Sequence, residues 1–126
     1  MENKHILSSF DDDLKKLNDN LLKLGNGALT NFDSCINNFG TQDIIEIDMV
    51  INGDIILDEL DDKVQKLGFE IIALRAPQAA DLRRVIVALK IATIFERIGD
   101  YSRNISNRTK LLIELNYSDL PGVNIG

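Results

Sequence analysis

Apolar residues recur along this chain at alternating intervals of three and four, in three long stretches separated by short polar breaks. Leu7, Phe10, Leu14, Leu17, Leu21, Leu24, Ala28 and Cys35 form the first stretch. That spacing is the heptad seam of a helix packed in a bundle. Phe32, Ile36 and Phe39 widen the stripe near its end. The pattern predicts a helix from about Ile6 to Phe39. Gly25-Asn26-Gly27 interrupts it, and each interior glycine costs ~1 kcal/mol against alanine. A kink or a close helix contact is expected there. Gly40 is expected to supply a left-handed helix exit, and Thr41 to cap the next helix.

The second helix is predicted from about Gln42 to Leu74. Its apolar face reads Met49, Leu57, Leu60, Val64, Leu67, Ile71 and Leu74, with Asp54, Asp58 and Asp61 as an acidic line beside it. Pro77 closes this segment, because the residue before a proline resists helical geometry. A third helix is predicted from about Ala79 to Leu115, with Asp81 in its first turn, where a carboxylate suits the helix dipole. It carries two apolar stripes. One holds Leu82, Val85, Ile86 and Leu89; the other holds Val87, Ile91, Ile94, Ile98, Tyr101 and Ile105. A polar line of Arg83, Lys90, Arg97 and Asn104 lies between them on one side. A helix apolar on two faces packs inside something larger than a hairpin. Three long helices with short turns make an all-α, antiparallel three-helix bundle over residues 1–115. Residues 116–126, punctuated by Pro, Gly and Asn, read as an irregular tail. The apolar surplus on the third helix predicts a homodimer with Val87, Ile91, Ile94 and Ile98 at its interface.

Composition narrows the function. The chain has 126 residues, enough for one domain with a real core. Its one cysteine, Cys35, excludes an internal disulfide. With no signal-peptide pattern, a cytoplasmic location is expected. No apolar run approaches the ~18 residues of a membrane span, so membrane association is expected to be peripheral at most. Net charge is −6, split as −9 over residues 1–74 and +3 over residues 75–126. Asp43 to Asp62 holds eight acids and no base. A nucleic-acid partner would need a basic stripe, and that segment is the reverse.

The candidate chemistry lies in the acids. Leu82, Val85, Ile86, Leu89 and Thr93 share one helix face with Glu96 and Asp100, so two carboxylates continue an apolar stripe. Such a pair is costly on a partly buried face unless something positive meets it. Glu96 and Asp100 are four residues apart, with Cβ atoms ~5–6 Å apart, so they can share one hard cation or bridge two. Ion pairing with Arg97 or Arg103 is the plainer explanation. Asp54 and Asp58 repeat the spacing on the second helix, where a solvated acidic face is the plainer reading. If the two helices are neighbours, the four acids form an all-oxygen site. That chemistry favours Mg²⁺, Mn²⁺, Ca²⁺ or iron over zinc. His5 reads as a helix-start residue and Cys35 as a small core hydrophobe. The chain has no Gly-rich phosphate loop, Ser-His-Asp set or Glu-x-x-His pair, so no enzyme is expected.

Several pieces resemble the PhoU family, accessory proteins of bacterial phosphate-specific transport. They are His5-Ile6 with Phe10 and Leu14, Val50-Ile-Asn-Gly-Asp54 with Asp58, Arg75-Ala-Pro-Gln-Ala-Ala-Asp-Leu-Arg83, and Glu96-Arg-Ile-Gly-Asp100. The resemblance covers about His5 to Ile105 and implies one of the two tandem three-helix repeats of that family. The second copy of the last two motifs is not among these residues. By resemblance, Glu96 and Asp100, with Asp54 and Asp58, match acidic positions that bind metal ions in some members, here Mg, Mn or Fe as divalent or trivalent ions. The resemblance further implies a negative regulator of phosphate uptake and phosphate-starvation signalling. Its partners would be the transporter's cytoplasmic subunits and the phosphate sensor histidine kinase. The alternatives are a carboxylate-based metal-binding helical module or a truncated fragment of such a regulator.

Overall fold

The computed structural model describes residues 2–117, with side chains from 9 to 116. Three helices fill this span: α1 (Glu2–Thr41), α2 (Ile44–Arg75) and α3 (Ala79–Tyr117). Each packs on both others. The short connections make α2 antiparallel to its neighbours and leave α1 and α3 parallel. The all-α three-helix bundle expected from the periodicity is present. α3 runs two residues past its expected end at Leu115. Residues 118–126, the rest of the expected tail, lie outside the described residues, as does the His5 side chain. Among the described residues no helix is long and apolar enough to cross a membrane.

The α1 seam follows the sequence pattern, except that Phe32, Ile36 and Phe39, expected to widen it, are exposed. Phe10, Leu17, Leu24, Ala28 and Cys35 are buried. Gly25 does not break the helix; it admits a neighbour. A methyl there would lie 2.7 Å from the Phe95 ring of α3, so of the two readings of Gly25-Asn26-Gly27 the close contact holds. The α1–α2 turn differs from expectation. Gly40 and Thr41 remain in α1, and Gln42 takes the left-handed conformation at φ 57°. Asp43 caps α2, its side chain accepting from Ile45 N at 3.0 Å and Glu46 N at 3.3 Å. A carboxylate at a helix N-terminus also meets the positive end of the dipole, which a threonine hydroxyl does not. At the other end Ala76 leaves α2 at φ 43°, just before Pro77.

The seams of α2 and α3 correct the expected faces. Met49 and Leu74 are 67% and 74% exposed. The inward line of α2 is Ile47, Val50, Asp54, Leu57, Asp61, Val64, Gly68 and Ile71, an unbroken alternation of three and four. On α3 the inward line is Val85, Ala88, Ala92, Phe95, Gly99, Ser102, Ser106, Thr109 and Ile113. Of the two expected α3 stripes only Val85 lies on this line; the others flank the seam or face solvent. Small residues bring the helix axes close, and larger flanking residues close the grooves. Ser102 and Thr109 donate to the carbonyls of Ile98 and Ile105 one turn back, at 2.8 and 2.9 Å, which satisfies them inside the core. Arg75 bridges to Asp13 at 3.0 Å and Lys110 to Asp48 at 2.8 Å, pinning opposite ends of the bundle.

Candidate metal centre

The groove between α2 and α3 gathers the acids. Heptad arithmetic explains why. Asp54 and Asp61 stand on the α2 seam, and Asp58 is on the flank of α2 that faces α3. Glu96 and Arg103, seven residues apart, lie on the α3 flank that faces α2, with Asp100 one turn further round. Leu89, one heptad before Glu96, confirms that flank: its carbonyl accepts from Gln65 Nε2 of α2 at 3.1 Å. The face predicted to carry both apolar residues and acids is thus the α2-facing side of α3.

Carboxylate oxygens of Asp54, Asp58 and Asp100 lie within 4.8 Å of one another. Hard cations take oxygen ligands at ~2.0–2.6 Å, so one ion can span that set. Glu96 adjoins it through a hydrogen bond to Asp100, which is the main cause raising the Glu96 carboxyl to about 7; burial and the charges of Asp58 and Asp61 add to it. The acids expected on two separate helices are therefore brought together, with Asp61 as a fifth carboxyl close by. Burial raises the Asp61 carboxyl above its ordinary value, more than its bond from Gln65 lowers it.

One cation is already present. Arg103 bonds to Asp54 and stands 3.5 Å from Asp100. Arg97, the other candidate, is exposed on the far side of the helix. Arg103 does not neutralise the site: five carboxyls meet one guanidinium. Burial is the largest cause raising the Asp54 carboxyl above its usual range. Asp58 and Asp100 add to it, and Arg103 opposes it. Asp54 is 2% exposed. Its Oδ1 has no hydrogen-bond partner among the protein groups. That oxygen points toward Gly99, where a Cβ would lie 3.3 Å from it. A buried, unpaired carboxylate oxygen beside two further carboxylates is a donor set suited to Mg²⁺, Mn²⁺ or iron.

Sequence reasoning missed Gly99, and it named Arg103 beside Arg97 without choosing between them. Gly99 keeps space open above Asp54, and nothing in its local sequence marks it as a groove residue. Arg103 had a signal: it follows Glu96 by seven residues, which is the same helix face.

Residues 21–109 match the family model described as the PhoU domain. Similar curated proteins carry the name phosphate-specific transport system accessory protein PhoU homolog. The protein of Caulobacter vibrioides is 34% identical over 111 residues, covering 88% of this chain and 48% of that protein. That of Xylella fastidiosa is 32% identical over 109 residues, covering 85% and 44%. That of Clostridium acetobutylicum is 31% identical over 104 residues, covering 82% and 48%. The chain spans about half the length of these curated relatives.

Proposed function

The chain belongs to the PhoU family, and on that footing we propose that it negatively regulates phosphate uptake and phosphate-starvation signalling, as part of cellular phosphate homeostasis. The observation that carries this reading is the similarity along most of the chain to proteins named as accessories of phosphate-specific transport. In this reading the chain works in the cytoplasm, without catalysis of its own. It contacts the transporter's cytoplasmic subunits and the phosphate sensor histidine kinase, and stays peripheral to the membrane. It also self-associates as a homodimer through outward apolar residues of α3.

Asp54, Asp58, Glu96 and Asp100 would hold a divalent or trivalent ion, Mg, Mn or Fe, in the α2–α3 groove. Such an ion would neutralise the crowded carboxylates and tie α2 to α3. The proximity of these acids supports this part, as does the unpaired Asp54 oxygen.

Deleting the gene should raise phosphate uptake when phosphate is plentiful, and the purified chain should capture transporter subunits or the kinase. Unchanged uptake together with no capture would defeat the regulatory reading. The metal part has its own test. A cation at a hundredfold excess over its dissociation constant stabilises the native state by ~2.7 kcal/mol, or roughly 10 °C in Tm at this size. Glu96→Gln with Asp100→Asn should abolish that shift while the helical signal is kept. If Mg²⁺, Mn²⁺ and Fe²⁺ all leave the wild-type Tm unmoved, the acids are not a metal site.

A further inference from the structure

The interior of the bundle changes character partway along. Leu17, Leu24, Leu57, Val64, Ile71 and Val85 belong to one apolar cluster. Ile47, Val50 and Ile113 are equally buried but stand outside it. Polar and small residues intervene. On the inward line of α3, Gly99, Ser102, Ser106 and Thr109 separate Phe95 from Ile113. On α1 the last buried residue is Asn38, which is 1% exposed. Three side-chain atoms here, Asn38 Oδ1, Asn38 Nδ2 and Ser106 Oγ, are buried with no hydrogen-bond partner among the protein groups. Among the described residues the other such atom is Asp54 Oδ1, which belongs to the carboxylate groove.

Asn38 and Ser106 share a layer. Burial raises the Cys35 thiol of α1, and the Ser102 hydroxyl of α3 beside it works the other way. The two helices run parallel. Asn38 is one turn beyond Cys35 and Ser106 one turn beyond Ser102, each a rise of ~5–6 Å, so the unpaired groups come level. α2 runs the other way, with Gly53 beside Asn31. Seven residues along each chain from that contact, Ile47 comes level with Asn38 to within one residue. Ser106 also differs from its neighbours. Ser102 and Thr109 donate to the carbonyl four residues back, at 2.8 and 2.9 Å. Ser106 makes no such bond.

We propose that this layer is a buried water site, in which ordered water bridges the Asn38 amide to the Ser106 hydroxyl and lets the α1–α2 end of the bundle open ahead of the rest. The donor set selects the ligand. Asn38 offers N–H donors and an acceptor oxygen, and Ser106 offers one O–H with acceptor lone pairs. The layer holds no charged side chain to balance an ion. An apolar molecule would leave the same atoms unpaired. A small neutral molecule that both donates and accepts is required. Ile47, Val50 and Ile113, each at most 3% exposed, give a larger one no entry. A buried water makes about three hydrogen bonds to groups otherwise unsatisfied. Asn38, Ser106 and the Thr109 oxygen supply them. Because the layer is buried, its water exchanges through local opening. The end where polar contacts replace apolar ones is the end that opens at least cost.

The inference goes beyond the proposed function and rests on none of its parts. The test uses the full chain, free of metal. In the wild type, nuclear cross-relaxation between water and the Asn38 side-chain amide protons should report a long-lived bound water. A crystal structure should place an ordered water within ~3.2 Å of both Asn38 and Ser106. Amide hydrogen exchange should be at least tenfold faster around Asn38 and Ile47 than around Val64. Asn38→Leu with Ser106→Ala replaces the polar pair by apolar side chains, and circular dichroism checks that the helices are kept. That variant should lose the ordered water and narrow the exchange gap about tenfold or more. The wild-type measurements stand without it. An Asn38 amide with no long-lived water, or one bonded only to protein groups in the crystal, would overturn the inference. So would equal protection at the two ends of the wild type, or the same water and the same gap in the double variant.

Discussion

Replacing Arg103 by glutamine removes the one guanidinium that holds a buried carboxylate. The Asp54 side chain is 3% exposed, and Arg103 is its ion-pair partner. Breaking a buried pair from one side costs about 3–5 kcal/mol. The Arg103 side chain is itself 36% exposed, so solvent screening reduces the expected loss to about 2–3 kcal/mol. At this chain length that lowers Tm by roughly 8–12 °C. The loss should also depend on pH. Burial and Asp58 already raise the Asp54 carboxyl against the pull of Arg103, and without the guanidinium it rises further. A carboxyl raised in the folded state holds its proton more tightly there than in the unfolded chain. Its stabilising contribution is therefore greatest in acid and is lost as pH rises through the folded value. The Arg103→Gln deficit must then grow from about pH 5 to about pH 8, by at most ~1.4 kcal/mol per pH unit.

Urea melts of the metal-free wild type, Arg103→Gln, Asp54→Asn and the double variant, each at both pH values, measure this directly. The double variant should be more stable than Arg103→Gln alone, because an amide at position 54 needs no counter-charge. A deficit below ~0.5 kcal/mol, the range of an ordinary surface substitution, would refute the reasoning. So would a deficit that is the same at both pH values.

Other outcomes follow from other parts of the bundle. Gly25→Val should lose about 1–3 kcal/mol by overpacking the Phe95 ring, while Asn26→Ala on the solvent side should lose nothing in the same melts. Ala76→Gly should raise Tm by a few degrees: it removes an αL cost of ~1–2 kcal/mol at φ 43° against ~0.5–1 kcal/mol of glycine entropy. The Glu96 carboxyl is raised from 4.5 to about 7, so the metal-free chain should lose stability as pH rises between those values. With saturating Mn²⁺ that slope should reverse, because ion and proton compete for the same oxygens; differential scanning calorimetry across that range checks both signs.

The α1 seam was legible because its inward positions are filled by the large apolar residues that a periodicity search counts. The α2 and α3 seams were legible only in part: Leu57, Val64, Ile71 and Val85 are buried as expected. Asp54, Asp61 and Gly68 break the apolar run on α2, so the eye passes to Met49 and Leu74, which face solvent. On α3 the inward line is mostly Ala, Gly, Ser and Thr, and the isoleucines beside it look like the core. Burial follows the space between axes, and small residues define that space by letting the helices approach. The turn was misassigned for a related reason. Gly40 satisfies a rule about conformation, but Asp43 three residues later supplies the stronger cap, and the helix continues until that cap can act.

The acids were legible as types and spacings, and their meeting was not. A spacing of four says that Glu96 and Asp100 can cooperate, but it cannot say which neighbouring helix they face. Once the inward line of α2 is known to pass through Asp54 and Asp61, the groove follows, since seam acids on one helix must lie near flank acids on the next. The placement also has a cost that packing alone does not explain. Core positions such as 54 and 61 are where leucine would stabilise most, yet they carry carboxyls whose charge is discouraged by burial. Native sequences keep such destabilising residues mainly where activity requires them. The other flank of α3 carries its apolar surplus and its basic line, turned away from the acids. One helix thus presents carboxylates to α2 on one side and an apolar, basic-edged surface on the other. A cation bound on the first side would tie α3 to α2 and thereby hold the second side in register, so occupancy of the groove should strengthen the dimer. Dimer affinity measured with and without Mn²⁺ checks this. A wild-type affinity that does not respond, in protein whose Tm does, would show that the two faces act independently.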